Sequence, residues 1–345
     1  MTVDPDRLAA AMRLAIDESA GALGLSRPNP SVGAVILADD GTVIARGHTQ
    51  AAGGPHAEVM ALRAAGPAAR GATAVVTLEP CNHTGRTGPC AQALIDAGVA
   101  RVVYAVGDPN PTASGGADRL RDAGIEVIAG LGERDAMSGP LRGWLFRQRH
   151  GRPLVTAKLA ATLDGRIAAP DGTSQWITGP EARARVHRQR ARLDAIIVGT
   201  GTVVRDDPAL TARLPDGSLA ERQPIRVAMG HRDIHSDARI ASSAAGEFRQ
   251  VRSHDPADVL AALSDTTWVL VEGGPRIIGA FLDAGLVDEI EAYVAPTVLG
   301  AGRSAIERPA VTTLSEGSRL RLVSVETIGD DALLISRSDR LPDRG

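Results

Sequence analysis

Residues 72 to 90 read ATAVVTLEPCNHTGRTGPC. The run from Ala72 to Leu78 is apolar and rich in β-branched residues, and Glu79-Pro80 closes it, so it reads as a strand buried within a sheet. A helix follows at about 89 to 97. Upstream, Pro55-His56-Ala57-Glu58 opens a helix running to about Ala65. Before it, SVGAVILA (31–38) and TVIARGH (42–48) form a strand pair joined through Asp40-Gly41, a hairpin turn. Leu8, Met12, Ala15, Ile16 and Leu23 recur at helical spacing and predict an opening amphipathic helix over 6 to 22. Downstream, RVVYAVGD (101–108) reads as a strand, DRLRDAG as a helix and IEVIAG as a short strand. Strands alternating with helices indicate an α/β layer fold.

The chain has 345 residues, which at about 150 per domain suggests two domains. A boundary falls near 140 to 152, where SGPLRGWLFRQRHGRP carries Leu141, Trp144 and Leu145 at helical spacing and so reads as a helical connector. Beyond it LVTAKLA, AIIVGT (195–200), IRVAM (225–229) and WVLVEGG (268–274) are strands. Helices lie between them at about 180–191, 256–263 and 275–284, and EIEAYVAP, LRLVSVETI and ALLISRS close the chain as strands. This is a second α/β domain.

Hydrophobic residues make up 43% and charged residues 23%, an ordinary globular mix that excludes disorder and fibrous repeats. No apolar run is long enough to cross a bilayer. The N-terminus, MTVDPDRLAA, has acids where a signal peptide needs a basic and then an apolar stretch, so a cytoplasmic location is expected. A net charge of −3 and eight aromatic residues argue against a nucleic-acid partner. All but one of the 38 basic residues are arginine, the exception being Lys158.

His56, Cys81 and Cys90 supply three soft or borderline ligands, the set that suits tetrahedral zinc with one position left for water. Zinc brings the pKa of such a water toward about 7. Glu58, two residues past His56, is placed to carry protons without ligating. His-x-Glu followed by Pro-Cys is the signature of zinc-dependent deaminases. The alternative is a closed structural site with His83 as fourth ligand, for which Glu58 would have no use. The eight residues between the cysteines are more than the Cys-x-x-Cys of many deaminases, and this loop carries Arg86, suited to a phosphate or ribose.

PNPSVGAV (28–35), GHTQAAGGPHAEV (47–59), TLEPCNHTGRTGPC (77–90) and GDPNP (107–111) resemble the deaminase half of the bifunctional riboflavin-biosynthesis deaminase/reductases. KLAATLDGRIA (158–168), SQWITG (174–179), VGTGTVVRDDPALTAR (198–213) and VEGGPRIIGAFL (271–282) resemble the reductase half. The resemblance covers about residues 5 to 337. It implies a cytidine-deaminase-like three-layer α/β/α domain over 1–146 and a dihydrofolate-reductase-like α/β domain over 147–345.

It also implies zinc and NADPH as cofactors, a phosphoribosylaminopyrimidine as substrate, and a homo-oligomer, dimer or tetramer. Substrate positions in the first half are Asn29, His48, Arg86 and Asn110. In the second half they are Ser174, Arg190, Leu210, Arg213 and Glu272, and Lys158 is a further candidate. Cofactor positions are Ala160, Trp176, Thr202 and Asp206, with the run Gly274, Pro275, Arg276, Ile277, Ile278, Gly279 and Ala280. Gly273-Gly274 between strand and helix fits a phosphate cradle, not the GxGxxG of a Rossmann fold. Met229-Gly230 and Arg276 depart from the family's usual residues. A deaminase whose reductase-like domain only binds is the alternative reading.

Overall fold

The computed structural model describes residues 4–83 and 88–341 and divides into two compact units between Gly151 and Arg152. The first unit contains α1 (Pro5–Ser19), β1 (Gly33–Leu37), β2 (Val43–His48), α2 (Ala57–Ala65), β3 (Thr73–Leu78), α3 (Cys90–Ala97), β4 (Arg101–Val106), α4 (Gly116–Asp122), β5 (Glu126–Ala129), α5 (Glu133–Ser138) and α6 (Arg142–His150). Its sheet runs β2-β1-β3-β4-β5, with β1 antiparallel to both neighbours and β3, β4 and β5 parallel. Every residue of β1 and β3 is buried, as expected of strands covered on both faces.

The strand register shows why. Gly33 pairs with His48 and Ala34 with Gly47, so Gly33 and Gly47 face opposite sides of the sheet. A methyl group on Gly33 would stand 2.0 Å from the Ala15 carbonyl oxygen of α1, and one on Gly47 would stand 2.6 Å from the Ala61 nitrogen of α2. The two helices therefore lie backbone-close on opposite faces, which makes three layers. The helix faces turned inward are rich in alanine, among them Ala11, Ala15, Ala57 and Ala61, which suits that close approach.

The second unit contains β6 (Leu154–Thr162), β7 (Arg166–Ala168), α7 (Pro180–Arg190), β8 (Ala195–Gly199), α8 (Thr200–Asp206), β9 (Ile225–Met229), β10 (Phe248–Val251), α9 (Pro256–Ala261), β11 (Trp268–Glu272), α10 (Pro275–Asp283), β12 (Glu289–Ala295), β13 (Arg303–Ser304), β14 (Arg321–Ile328) and β15 (Asp331–Arg337). Eight strands form one sheet in the order β10-β9-β8-β11-β6-β12-β15-β14. The pairs from β10 to β12 are parallel and the last two antiparallel. Parallel register brings Glu272 of β11 and Glu291 of β12 to either side of Lys158 on β6.

The periodic helices and long apolar strands lie where the sequence places them. Five short elements were not expected from it: α5, α8, β7, β10 and β13. The α8 sequence TGTVVRD is poor in helix formers and continues an apolar strand, so local preference hides it.

Gly33→Ala is expected to destabilise the first unit by about 1–3 kcal/mol, since neither backbone can retreat from the new methyl. Calorimetry of the full chain would show a lowered melting transition, whereas an unshifted melt would contradict the close α1–β1 approach.

Candidate active sites

His56 caps the N-terminus of α2, Cys81 follows β3, and Cys90 is the first residue of α3. The His56 Nδ1 lies 3.7 Å from the Cys81 Sγ and 3.3 Å from the Cys90 Sγ. Tetrahedral zinc with ordinary Zn–N and Zn–S bonds needs about 3.6 Å between such atoms. All three ligand atoms lie within 4.8 Å of one another, so the donor set fits that ion. The Cys90 backbone N–H also donates to the Cys81 sulfur at 3.4 Å. Hydrogen bonding from Cys90, and then from His56, holds the Cys81 thiol well below the ordinary thiol range against the effect of burial. Cys90 shifts upward, through its contact with Cys81 and through burial.

Glu58 is 4% exposed. Burial, and then the Cys81 sulfur, push its carboxyl up to about 7, where it can both accept and return a proton. His83 lines the same cavity but is absent from the cluster formed by His56, Cys81 and Cys90. Three protein ligands beside a buried carboxylate make the arrangement of a catalytic metal centre, not a closed structural one.

The cavity above these groups holds about 540 Å³, and Asn29 and Asn110 both line it. Asn110 is held in a turn, its N–H donating to the Asp108 carboxylate at 2.8 Å. The organiser of that turn is Glu79, which the sequence reading did not single out. One of its oxygens accepts from the Asp108 N–H, and the other from the N–H groups of Gly115 and Ala117. Its place between a strand and Pro80-Cys81 was the available signal. Thr49, Asp108, Arg147 and Gln148 also line the cavity and were likewise missed. His48 is outside this lining: its Nδ1 meets the Glu18 carboxylate of α1 at 2.7 Å. Arg86 lies outside the described residues.

Two adjoining cavities in the second unit, about 550 and 670 Å³, share Thr202, Arg205, Gly274 and Arg303 in their walls. One extended ligand can run through both, which fits a dinucleotide. Gly274, at φ +74°, keeps the passage open: a Cβ there would meet the Thr202 hydroxyl at 3.1 Å. Ala160, Asp206, Pro275 and Ile278 line the first cavity, and Arg276 and Ile277 the second. Gly279 and Ala280 line neither. Gly279 instead lets α10 approach the Glu307 carbonyl, which a Cβ would meet at 2.1 Å.

Lys158, Ser174, Arg190, Leu210 and Glu272 line the first of these cavities. Leu210 does so in the left-handed region at φ +51°, a strained position for a branched side chain. Glu272 joins two cations, accepting from Arg190 at 2.7 and 3.1 Å and from Lys158 at 3.3 Å. Burial alone would raise its carboxyl, but Arg190 and then Lys158 outweigh it and bring it down to about 2. Arg190 therefore faces the cavity already paired. Arg213 and Trp176 are outside the lining. The Arg213 guanidinium donates to the Gly217 carbonyl at 2.6 Å, and Trp176, 70% exposed, lies beneath the Arg183 guanidinium at 4.5 Å.

Fold and sites define a zinc-dependent deaminase joined to a nicotinamide-dependent reductase. Residues 5–106 match the cytidine and deoxycytidylate deaminase zinc-binding region, and residues 153–334 match the RibD C-terminal domain. The chain belongs to the RibD family of riboflavin biosynthesis proteins. Riboflavin biosynthesis protein RibD of Mycobacterium tuberculosis (strain ATCC 25618 / H37Rv) is 53% identical over 324 residues, covering 94% of this chain and 95% of that protein. The Escherichia coli (strain K12) protein of the same name is 40% identical over 348 residues, covering 90% and 93%.

Among solved structures, Acinetobacter baumannii RibD (form 1) superposes with a TM-score of 0.86 at 38% identity, covering 97% of this chain and 99% of that one. The diaminohydroxyphosphoribosylaminopyrimidine deaminase/5-amino-6-(5-phosphoribosylamino)uracil reductase of Thermotoga maritima gives 0.85 at 34%, covering 96% and 99%. The protein is thus a bifunctional enzyme of riboflavin biosynthesis. It has a cytidine-deaminase-like first unit that uses zinc and a dihydrofolate-reductase-like second unit that uses NADPH. The match across 153–334 leaves the deaminase-only alternative without support. Among the described residues no helix is long and apolar enough to cross a membrane.

Glu272→Gln would leave Arg190 and Lys158 without their shared carboxylate, at an expected cost of about 3 kcal/mol in stability. The carboxyl sits at about 2 in the folded protein against an ordinary 4.5. Its contribution is therefore complete above about pH 4.5 and is lost as pH falls toward 2. Unfolding of wild type and variant at pH 7 and pH 3 should show the difference narrowing at the lower pH.

Proposed function

We propose that the first unit hydrolyses the 2-amino group of 2,5-diamino-6-(5-phosphoribosylamino)pyrimidin-4(3H)-one. The second unit then reduces the ribosyl group of the resulting 5-amino-6-(5-phosphoribosylamino)uracil to ribityl. The observation that carries this reading is the buried Glu58 carboxyl beside three metal ligands, in a chain that also holds a dinucleotide-sized groove.

His56, Cys81 and Cys90 would hold zinc, which when bound would supply the Lewis acidity that makes water nucleophilic near neutral pH. Glu58 takes the proton released as water adds to the ring carbon and returns it to the departing amine, so ammonia leaves. Asn29 and Asn110 offer amide donors and acceptors to the pyrimidine edge, and Glu79 keeps Asn110 in place. Arg86 and His48 are assigned to the substrate by resemblance alone.

In the second unit NADPH, when bound, supplies the hydride for ribosyl C1′. The Gly273-Gly274 turn and Thr202 would hold the cofactor's phosphates, with Ala160, Asp206 and residues 275–278 lining the same cavities. Lys158 presents its ammonium to the ribosyl group, with Glu272 and Arg190 fixing its position. Ser174 and Leu210 shape the same wall, whereas Arg213 and Trp176 are assigned to the ligands by resemblance alone. The enzyme acts in the cytoplasm, where a reducing medium keeps Cys81 and Cys90 as thiols able to take metal. It works as a homo-oligomer, dimer or tetramer, which would cover Leu322 and Val325 on β14, the exposed edge of the second sheet.

Incubating the purified protein with the diaminopyrimidine substrate and following mass tests both halves. Exchange of amino for oxo without NADPH, then a gain of two hydrogens once NADPH is added, is the expected sequence; no change in zinc-loaded protein would refute the reading. Glu58→Gln should retain zinc by metal analysis and lose about 10²- to 10⁴-fold in deamination kcat. Sedimentation at micromolar concentration should give at least twice the monomer mass.

A further inference from the structure

The cavity of the first unit has a wall that the deaminase motifs do not supply. α6 buries Trp144, Leu145 and Phe146, and the next residue, Arg147, emerges half-buried at the cavity beside Gln148. Among the described lining residues Arg147 is the only arginine or lysine. The formal negative charges there are Glu58, Glu79 and Asp108, and Glu79 already accepts three backbone N–H groups. Two other guanidiniums of this unit are taken up by protein acceptors, Arg101 by Glu126 and Arg119 by Asn82 and Gln92. The Arg147 side chain has no hydrogen-bond or ion-pair partner among the described residues.

A dianion entering a cavity that contains three carboxyl groups needs a fixed cation, and a planar guanidinium fork matches two phosphate oxygens at once. We propose that Arg147 anchors the 5′-phosphate of the deaminase substrate, so that the connecting helix serves as the specificity element of the first active site. The proposal rests on the substrate assigned above. Phosphate binding at Arg147, away from the reacting carbon, supplies energy that orients the pyrimidine toward Glu58.

The test compares two substrates on the full-length zinc-loaded enzyme: the 5′-phosphorylated compound and its dephosphorylated counterpart. Each is deaminated by wild type, Arg147→Gln and Arg147→Lys, and the ratio of the two kcat/KM values is read. Both substrates meet the same active molecules, so the ratio is insensitive to any misfolded fraction. Wild type should prefer the phosphorylated substrate. The preference should fall at least tenfold in Arg147→Gln, the loss expected for a charge-assisted hydrogen bond, and recover in part in Arg147→Lys. An undiminished preference in Arg147→Gln overturns the proposal alone and assigns the phosphate to other residues, Arg86 first. A wild type without preference also overturns it. A wild type inactive on both substrates overturns the functional reading and this proposal together.

Discussion

At Gly47 the backbone of α2 lies so near β2 that a methyl group would meet the Ala57 carbonyl at 2.7 Å and the Ala61 nitrogen at 2.6 Å. This contact sets the height and angle at which α2 rests on the sheet, and His56 and Glu58 are carried on the first turn of that helix. A larger residue would lift the helix and with it one ligand and the proton carrier. The opposite face is set by the same means at Gly33, where α1 is seated. Alanine-rich helices against the buried strands β1 and β3 make a thin and rigid scaffold, which suits a site that must hold three ligand atoms to within a few tenths of an ångström.

The second site is organised by charge. Lys158 lies between Glu272 and Glu291 because three parallel strands run in register, and Arg190 reaches the same Glu272 from α7. Two cations on one carboxylate keep it ionised despite burial. In exchange the carboxylate holds both cations at the cavity wall. With the ribosyl group docked there as proposed, a compact ammonium takes less room beside it than a guanidinium. That gives a physical reason for a lysine at this position in a chain whose other basic residues are all arginine.

The metal centre was legible from sequence because its chemistry admits few residue types: thiols, an imidazole and a carboxylate in one order leave little else to infer. Long strands were legible for a related reason, since AIIVG and WVLVE have no polar face to offer water. The organising role of Glu79 was less visible, because a carboxylate that binds backbone N–H groups looks the same in sequence as one facing solvent. Arg147 was hidden among many arginines in a connector. The orientations of His48 and Trp176 were hidden too, since their partners, Glu18 and Arg183, lie elsewhere in the chain.

The second chemistry was carried by family resemblance; sequence alone determined the α/β layer class of both halves and the candidate set of His56, Cys81, Cys90 and Glu58. Those properties follow from residue type, periodicity and order, which need no knowledge of what lies across the sheet. Tertiary structure decided which candidates face a cavity. Asn29, Asn110, Lys158 and Glu272 do, while His48, Arg213 and Gly279 are engaged elsewhere and Ala280 lines none of these cavities. The reason is geometric: a side chain's direction depends on the strand register and helix seating of elements far apart in the chain.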